Sequence, residues 1–158
     1  MLIDGPVGNL EIECSDNRGQ DTAAILCHPH PRYGGSMDDL VLAEARACCE
    51  KSGISDVRFN FRGVGASEGR HDSSDADHNG ELEDLKAVLS WIRTEFRAER
   101  IIGIGYSFGS FIINRGDQLN LFDRAIGSKT VIFFLSIVSK PESLKSPSSL
   151  VTVSYTHL

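Results

Sequence analysis

Val7 to Cys14 sets apolar positions Val7, Leu10, Ile12 and Cys14 among polar ones, after a Gly5-Pro6 turn. That pattern predicts an edge strand. Thr22-Ala-Ala-Ile-Leu-Cys27 is a continuous apolar run, which suits a strand covered on both faces. It ends at His28-Pro-His-Pro31, because proline cannot donate to a strand ladder. Arg32 to Ser36 then forms a loop around Gly34-Gly35. Asp38 to Ser52 reads as a helix, with Leu42, Ala45, Cys48 and Cys49 on one face and Gly53 as its stop. Asp56 to Phe61 is the next strand, and Gly63, Gly65 and Gly69 make the loop after it flexible. Leu82, Leu85, Leu89, Ile92 and Phe96 recur at helical spacing, so Gly80 to Phe96 is the clearest helix. Glu81, Glu83 and Asp84 lie where a helix N-terminus favours negative charge. Arg100 to Gly105 is a buried strand, followed by a tight turn and a helix from Phe108.

Strands and helices alternating at this spacing predict an α/β fold, a three-layer sandwich around a mostly parallel sheet. The pattern weakens after about Asn114. Thr130 to Val138 can supply one more strand, and the remainder is rich in serine and proline without a period.

Composition adds an asymmetry. The 158 residues carry a net charge of −6 and are 41 % hydrophobic and 24 % charged, ordinary values for a globular chain. The acidic balance argues against nucleic acid or an anionic membrane as partner. No apolar stretch is long enough for a transmembrane helix, and Met1 to Leu10 does not read as a secretory signal. Cys14, Cys27, Cys48 and Cys49 show no paired spacing, so reduced thiols and a cytoplasmic location are expected. From Ala125 onward, three lysines face one acid, a balance of +2, which leaves −8 on residues 1–124. Seven serines fall between Ser136 and Ser154. Two compositions are joined in one chain.

Three segments could carry chemistry. Gly105-Tyr-Ser107-Phe-Gly109 matches G-x-S-x-G. Its serine follows a buried strand and opens a helix, the context in which a sharp turn exposes a nucleophile. Small residues at 105 and 109 let strand and helix approach. The helix N-terminus aims the Phe108 amide at a developing oxyanion. The bland reading of the same turn is a serine that only caps the helix. The second segment is His28-Pro29-His30-Pro31 with Gly34-Gly35. A stiff loop after a strand can supply a second oxyanion amide, either His30 or a residue beyond Pro31, since the prolines have no N–H. His28 and His30 could instead begin a metal site, with His71 and His78 converging from a polar loop. The third, Arg62-Gly-Val-Gly65-Ala-Ser67-Glu-Gly69, is one residue too long for a dinucleotide fingerprint and has no Gly-Lys-Ser/Thr ending. Arg58 and Arg62 fit better as strand-end braces, and Ser67 as a nucleophile is the weaker alternative to Ser107.

CHPHPRYGGSMDD, VRFNFRGVGASEG, GELEDL and GYSFGS, in this order and spacing, resemble a bacterial branch of the α/β-hydrolase superfamily, similar to dienelactone hydrolases and serine aminopeptidases. The resemblance runs from about Asp21 to Ile113. It implies Ser107 as nucleophile, the amides of Phe108 and His30 as oxyanion hole, and a pocket bordered by the Gly63–Gly69 loop. It also implies that Glu81 and Asp84 are structural. The loop residues His28, Gly34, Gly35 and Arg62 are expected beside the pocket.

Such hydrolases order their triad Ser…Asp/Glu…His. At roughly 30 residues per βα unit, the acid and histidine fall about 60 and 90 residues beyond Ser107, past Leu158. Asp117 and Asp123 lie too close to Ser107, and His157 stands at the end of the aperiodic tail, whose final residues read like translated adapter sequence. The expectation is therefore that residues 1–125 are the N-terminal part of a hydrolase domain and 126–158 an atypical, non-native or disordered tail. The implied function is carboxylesterase-like hydrolysis of an ester, thioester or amide of a small molecule. It needs no cofactor or metal, and this stretch alone is inactive for want of acid and base. The alternatives are a non-catalytic α/β binding module and a metal-dependent hydrolase using His28 and His30. The sequence sets neither the substrate nor the oligomeric state.

Overall fold

The computed structural model describes residues 1–15, 21–72, 74–122 and 136–138. The elements are β1 (Leu2–Gly5), β2 (Gly8–Cys14), β3 (Thr22–Cys27), α1 (Leu40–Lys51), β4 (Ser55–Phe59), α2 (Asn79–Trp91), β5 (Arg100–Gly105), α3 (Phe108–Gln118) and β6 (Ser136–Val138). They form one mixed sheet in the order β1-β2-β4-β3-β5-β6. The parallel centre is β4-β3-β5, with Ile25 opposite both Val57 and Gly103. Antiparallel strands flank it: β2 on β4, β1 on β2 and β6 on β5.

The run Thr22–Cys27 is apolar throughout because it packs on both faces. Ala23, Ile25 and Cys27 point into the larger core with α2 and α3, and Ala24 and Leu26 into the smaller one with α1. These are the three expected layers. Residues of an α/β sheet centre must be apolar on both sides, which is why no alternation survives there.

Several boundaries differ from expectation. Gly8–Cys14 is not an edge strand, because Leu2–Gly5 forms a hairpin with it and takes the edge. The expected helix face of Leu42, Ala45, Cys48 and Cys49 holds except at Cys48, which is exposed. Asp39 begins α1 by accepting a 2.8 Å hydrogen bond from the Val41 amide, and Gly53, at φ +65°, follows its end. The Gly80–Phe96 pattern is realised as α2 followed by a π-helical turn at Ile92–Phe96. Ser136–Val138 pairs with Gly103–Gly105, inside the range expected for a further strand. The rest of residues 126–158, including His157, lies outside the described residues. Among the described residues no helix is long and apolar enough to cross a membrane.

Candidate active site

The C-terminal ends of β3 and β5 are neighbours, with Cys27 opposite Gly105. The Tyr106 amide continues that ladder by donating to the Cys27 carbonyl at 3.1 Å. One residue later the chain reverses into α3, and Ser107 sits at φ +53°, ψ −112°. An L-residue with a Cβ meets steric cost there, about 1–3 kcal/mol, and such strain persists only where the surroundings enforce it. The surroundings are backbone. A Cβ at Gly105 would lie 2.5 Å from the Gly109 carbonyl oxygen and the Ser110 nitrogen. A Cβ at Gly109 would strike the Cys27 carbonyl and lie 2.8 Å from the His28 carbonyl oxygen. Both glycines are thus required by close approach, as the motif predicted. The Ser110 hydroxyl donates to the Gly105 carbonyl at 2.5 Å and closes the turn.

Ser107 does not cap the helix through its side chain. The bland reading of this serine therefore fails. The side chain is half-buried at the start of α3, and among the described residues no group hydrogen-bonds its hydroxyl. The macrodipole of α3 places positive potential at the same end.

The loop after β3 lies against this turn. His30, at the start of a 3₁₀ turn over Pro31–Tyr33, stacks tilted against Phe108 with ring centroids 4.8 Å apart. Among the described residues neither the His30 nor the Phe108 amide donates a hydrogen bond. Gly34 takes φ +81°, and buried Gly35 passes so close to Pro29 that a Cβ would collide with that residue's carbonyl. The close approach at Gly35 makes the loop compact, and the fixed φ of Pro29 and Pro31 stiffens it. The His30 Nδ1 accepts from the Arg32 amide at 3.2 Å. Burial first, and then the nearby His71 and His78, depress its pKa.

His28 was expected beside the pocket, and as a metal ligand in the alternative reading. It is instead a fully buried brace. The Phe61 amide donates to its Nε2 at 3.1 Å, which makes Nε2 the acceptor and leaves the proton on Nδ1. Nδ1–H then donates to the Pro29 carbonyl at 2.6 Å. No lone pair is left for a metal, so a metal site built on His28 and His30 is not formed. Desolvation pushes the His28 pKa down to about 4, as expected for an imidazole buried neutral.

Arg62 is likewise a brace. Its Nε and Nη2 donate to both carboxylate oxygens of Asp84, at 2.7 to 3.2 Å, and its amide donates to Asp84 Oδ2 at 3.0 Å. Asp84 is wholly buried, and its hydrogen bonds raise the Arg62 pKa. A Cβ at Gly80 would meet the guanidinium at 2.6 Å, so the arginine lies flat under the start of α2. Ser67 is buried, with its hydroxyl donating to the Asn60 carbonyl at 2.7 Å and accepting from the Glu11 amide at 2.9 Å. A hydroxyl so engaged is not a nucleophile.

A constellation only half visible in the sequence gathers beside Phe108. His71 and His78 stack with centroids 5.6 Å apart, at an angle of 13°. His30 is 4.9 Å from His71, and His78 is 4.8 Å from Phe108. Buried Glu81 reaches into the group, with Oε1 2.7 Å from His71 Nδ1. The signal was the i, i+3 pair His78 and Glu81, which shares one face of a helix start. Asp72, Asp75 and Asp77 of the same loop do not join it.

No model of a known protein family matches the chain. An α/β serine hydrolase homologue from Coxiella burnetii is 39 % identical with a TM-score of 0.66, over 75 % of this chain and 56 % of that one. An α/β serine hydrolase without a lid from Xanthomonas campestris is 37 % identical with a TM-score of 0.67, over 75 % and 55 %. An uncharacterized protein of Rickettsia prowazekii is 32 % identical over 128 residues, 77 % of this chain and 52 % of that protein. The fold is that of the α/β hydrolases. The chain spans about half the length of the proteins it matches.

Proposed function

We propose that Ser107 is the nucleophile of a serine hydrolase that transfers an acyl group from an ester, thioester or amide of a small molecule to water. The observation that carries this is the backbone of Ser107 at φ +53°, ψ −112°. A strained serine held between two obligatory glycines, with its hydroxyl unused for capping, has no structural task. Attack by Oγ on the substrate carbonyl builds negative charge on the carbonyl oxygen. The amides of Phe108 and His30 are the donors for that oxyanion, since their rings pack together and neither amide is otherwise engaged. The stiffness of the Pro29–Gly35 loop supports this role, because such a donor must be held within fractions of an ångström.

Attack also needs a base for the serine proton and an acid to orient it. Among the described residues no carboxylate or imidazole hydrogen-bonds Ser107. This reading needs the base and acid outside the described residues, and the Ser…Asp/Glu…His spacing assigns them to the additional length that the relatives have. Hydrolysis of p-nitrophenyl acetate by the 158-residue chain should be slower, on the order of 10⁶-fold in kcat, than by a chain carrying that length. In the longer chain Ser107→Ala should abolish both turnover and fluorophosphonate labelling. Labelling that survives Ser107→Ala overturns the nucleophile. Robust Ser107-dependent labelling of the 158-residue chain overturns the location of the base.

A further inference from the structure

We propose that His71, His78 and Glu81 form a binding site for one divalent transition-metal ion of the zinc class, beside the Ser107 turn and independent of that serine's role. One donor atom from each residue lies within 4.8 Å of the others. The Glu81 oxygens stand 2.7 Å from His71 Nδ1 and 3.8 Å from His78 Nδ1. A tetrahedral zinc ion with bonds of about 2.1 Å sets its ligand atoms about 3.4 Å apart. Shifts of roughly an ångström therefore convert the observed arrangement into a coordination sphere.

A second observation points the same way. The His71 side chain is only 9 % exposed and that of Glu81 2 %. Yet His78 Nδ1, which faces Glu81, is buried without a hydrogen-bond partner among the described residues. A buried ring nitrogen left unpaired carries a desolvation cost, and a metal ion removes it at His78 by taking the Nδ1 lone pair. His78 adds backbone strain. It adopts φ +49°, ψ +44° as the residue before α2, a conformation uncommon for a residue with a side chain. This turns its imidazole back toward the Glu81 carboxylate one turn along. The first turn of α2 is thus shaped around a side-chain cluster.

Two imidazoles and one carboxylate are the donor set of a zinc site that keeps a position open for water or substrate. Such nitrogen and oxygen donors favour zinc, cobalt and copper over calcium or magnesium. The cluster itself lies in the aromatic surroundings of Phe108 and His30, whose rings are 4.8 Å from His78 and 4.9 Å from His71, respectively. A metal-bound water there would sit close to the end of α3 that carries Ser107.

The test is titration of the metal-free 158-residue chain with Co²⁺, read by visible d–d absorption, and competition with Zn²⁺ by calorimetry. One equivalent should bind with the intense absorption of a tetrahedral site and without the thiolate band that Cys48 would add. His71→Ala and His78→Ala should each weaken binding more than about 100-fold, exceeding the usual effect of losing a second-layer partner. Glu81→Gln should weaken it as well, and Cys48→Ala should change nothing. Circular dichroism checks the fold of each variant. If His71→Ala is unfolded, His78→Ala decides, since that ring lies more exposed at the helix start. Absence of binding overturns the site, as does binding that survives both histidine changes and so belongs elsewhere in the chain. None of these readouts involves Ser107, so the metal site and the hydrolase reading fail separately.

Discussion

His28 and His30 are separated by one proline and have opposite fates. His28 is buried, spends both ring nitrogens on the backbone and is held neutral. His30 faces a cluster with His71, His78 and Phe108 in which ring nitrogens stay uncommitted. The same division separates Arg62 and Asp84, locked together below α2, from Ser107 and the cluster above β3 and β5. One group fixes the geometry, and the other is left with unspent hydrogen-bonding capacity. The lesson is that residue type did not decide role here. What decided it was whether the fold had already satisfied the side chain's polar atoms.

Changes on the bracing side should cost stability. The largest effect belongs to Asp84→Ala, which strands a mostly buried guanidinium, and roughly 3–5 kcal/mol should be lost in urea unfolding. A loss below about 1 kcal/mol would mean that solvent reaches Arg62 and that the pair is not a brace. Next comes Gly109→Ala, where the added methyl must displace the Cys27 carbonyl. About 3 kcal/mol should be lost, with a shifted near-ultraviolet spectrum. An unchanged unfolding midpoint would show that the elbow is looser than its contacts imply.

His28 links stability to pH. Its folded pKa of about 4 lies below the ordinary 6.5, so the unfolded chain binds a proton that the fold excludes. The stabilisation is complete above about pH 6.5 and is lost as pH falls toward 4, by roughly 3 kcal/mol in all. His28→Gln should flatten this dependence between pH 7 and 4.5 in thermal melts, and an equally steep profile in the variant would transfer it to other groups. The smallest effect has the opposite sign. Ser107→Gly relieves the positive φ and should stabilise the chain by up to about 1 kcal/mol. Destabilisation by the same change would remove the argument that Ser107 is strained.

Much of this was legible in the chain. The apolar run Thr22–Cys27, the helical period of Leu82, Leu85 and Leu89, and Gly105-Tyr-Ser-Phe-Gly109 report local constraints, and each came out at its predicted place. The two glycines could be read because the reason for them, contact between a strand end and the next helix, is local. Other features have no local signature. The Leu2–Gly5 strand is too short to show a period. The exposure of Cys48 depends on how α1 rolls against β3. Glu81 and Asp84 read as dipole partners of a helix start, and both are buried with partners ten or more residues away.

The sequence by itself determined the alternation of elements and the identity of the strained serine, because short-range sterics and hydrophobic period act within a few residues. Only the tertiary structure decided which histidines are braces and which converge beside Phe108. That outcome depends on desolvation and hydrogen-bond closure between segments, from His28 to Phe61 and from His71 to Glu81, and no local pattern encodes it.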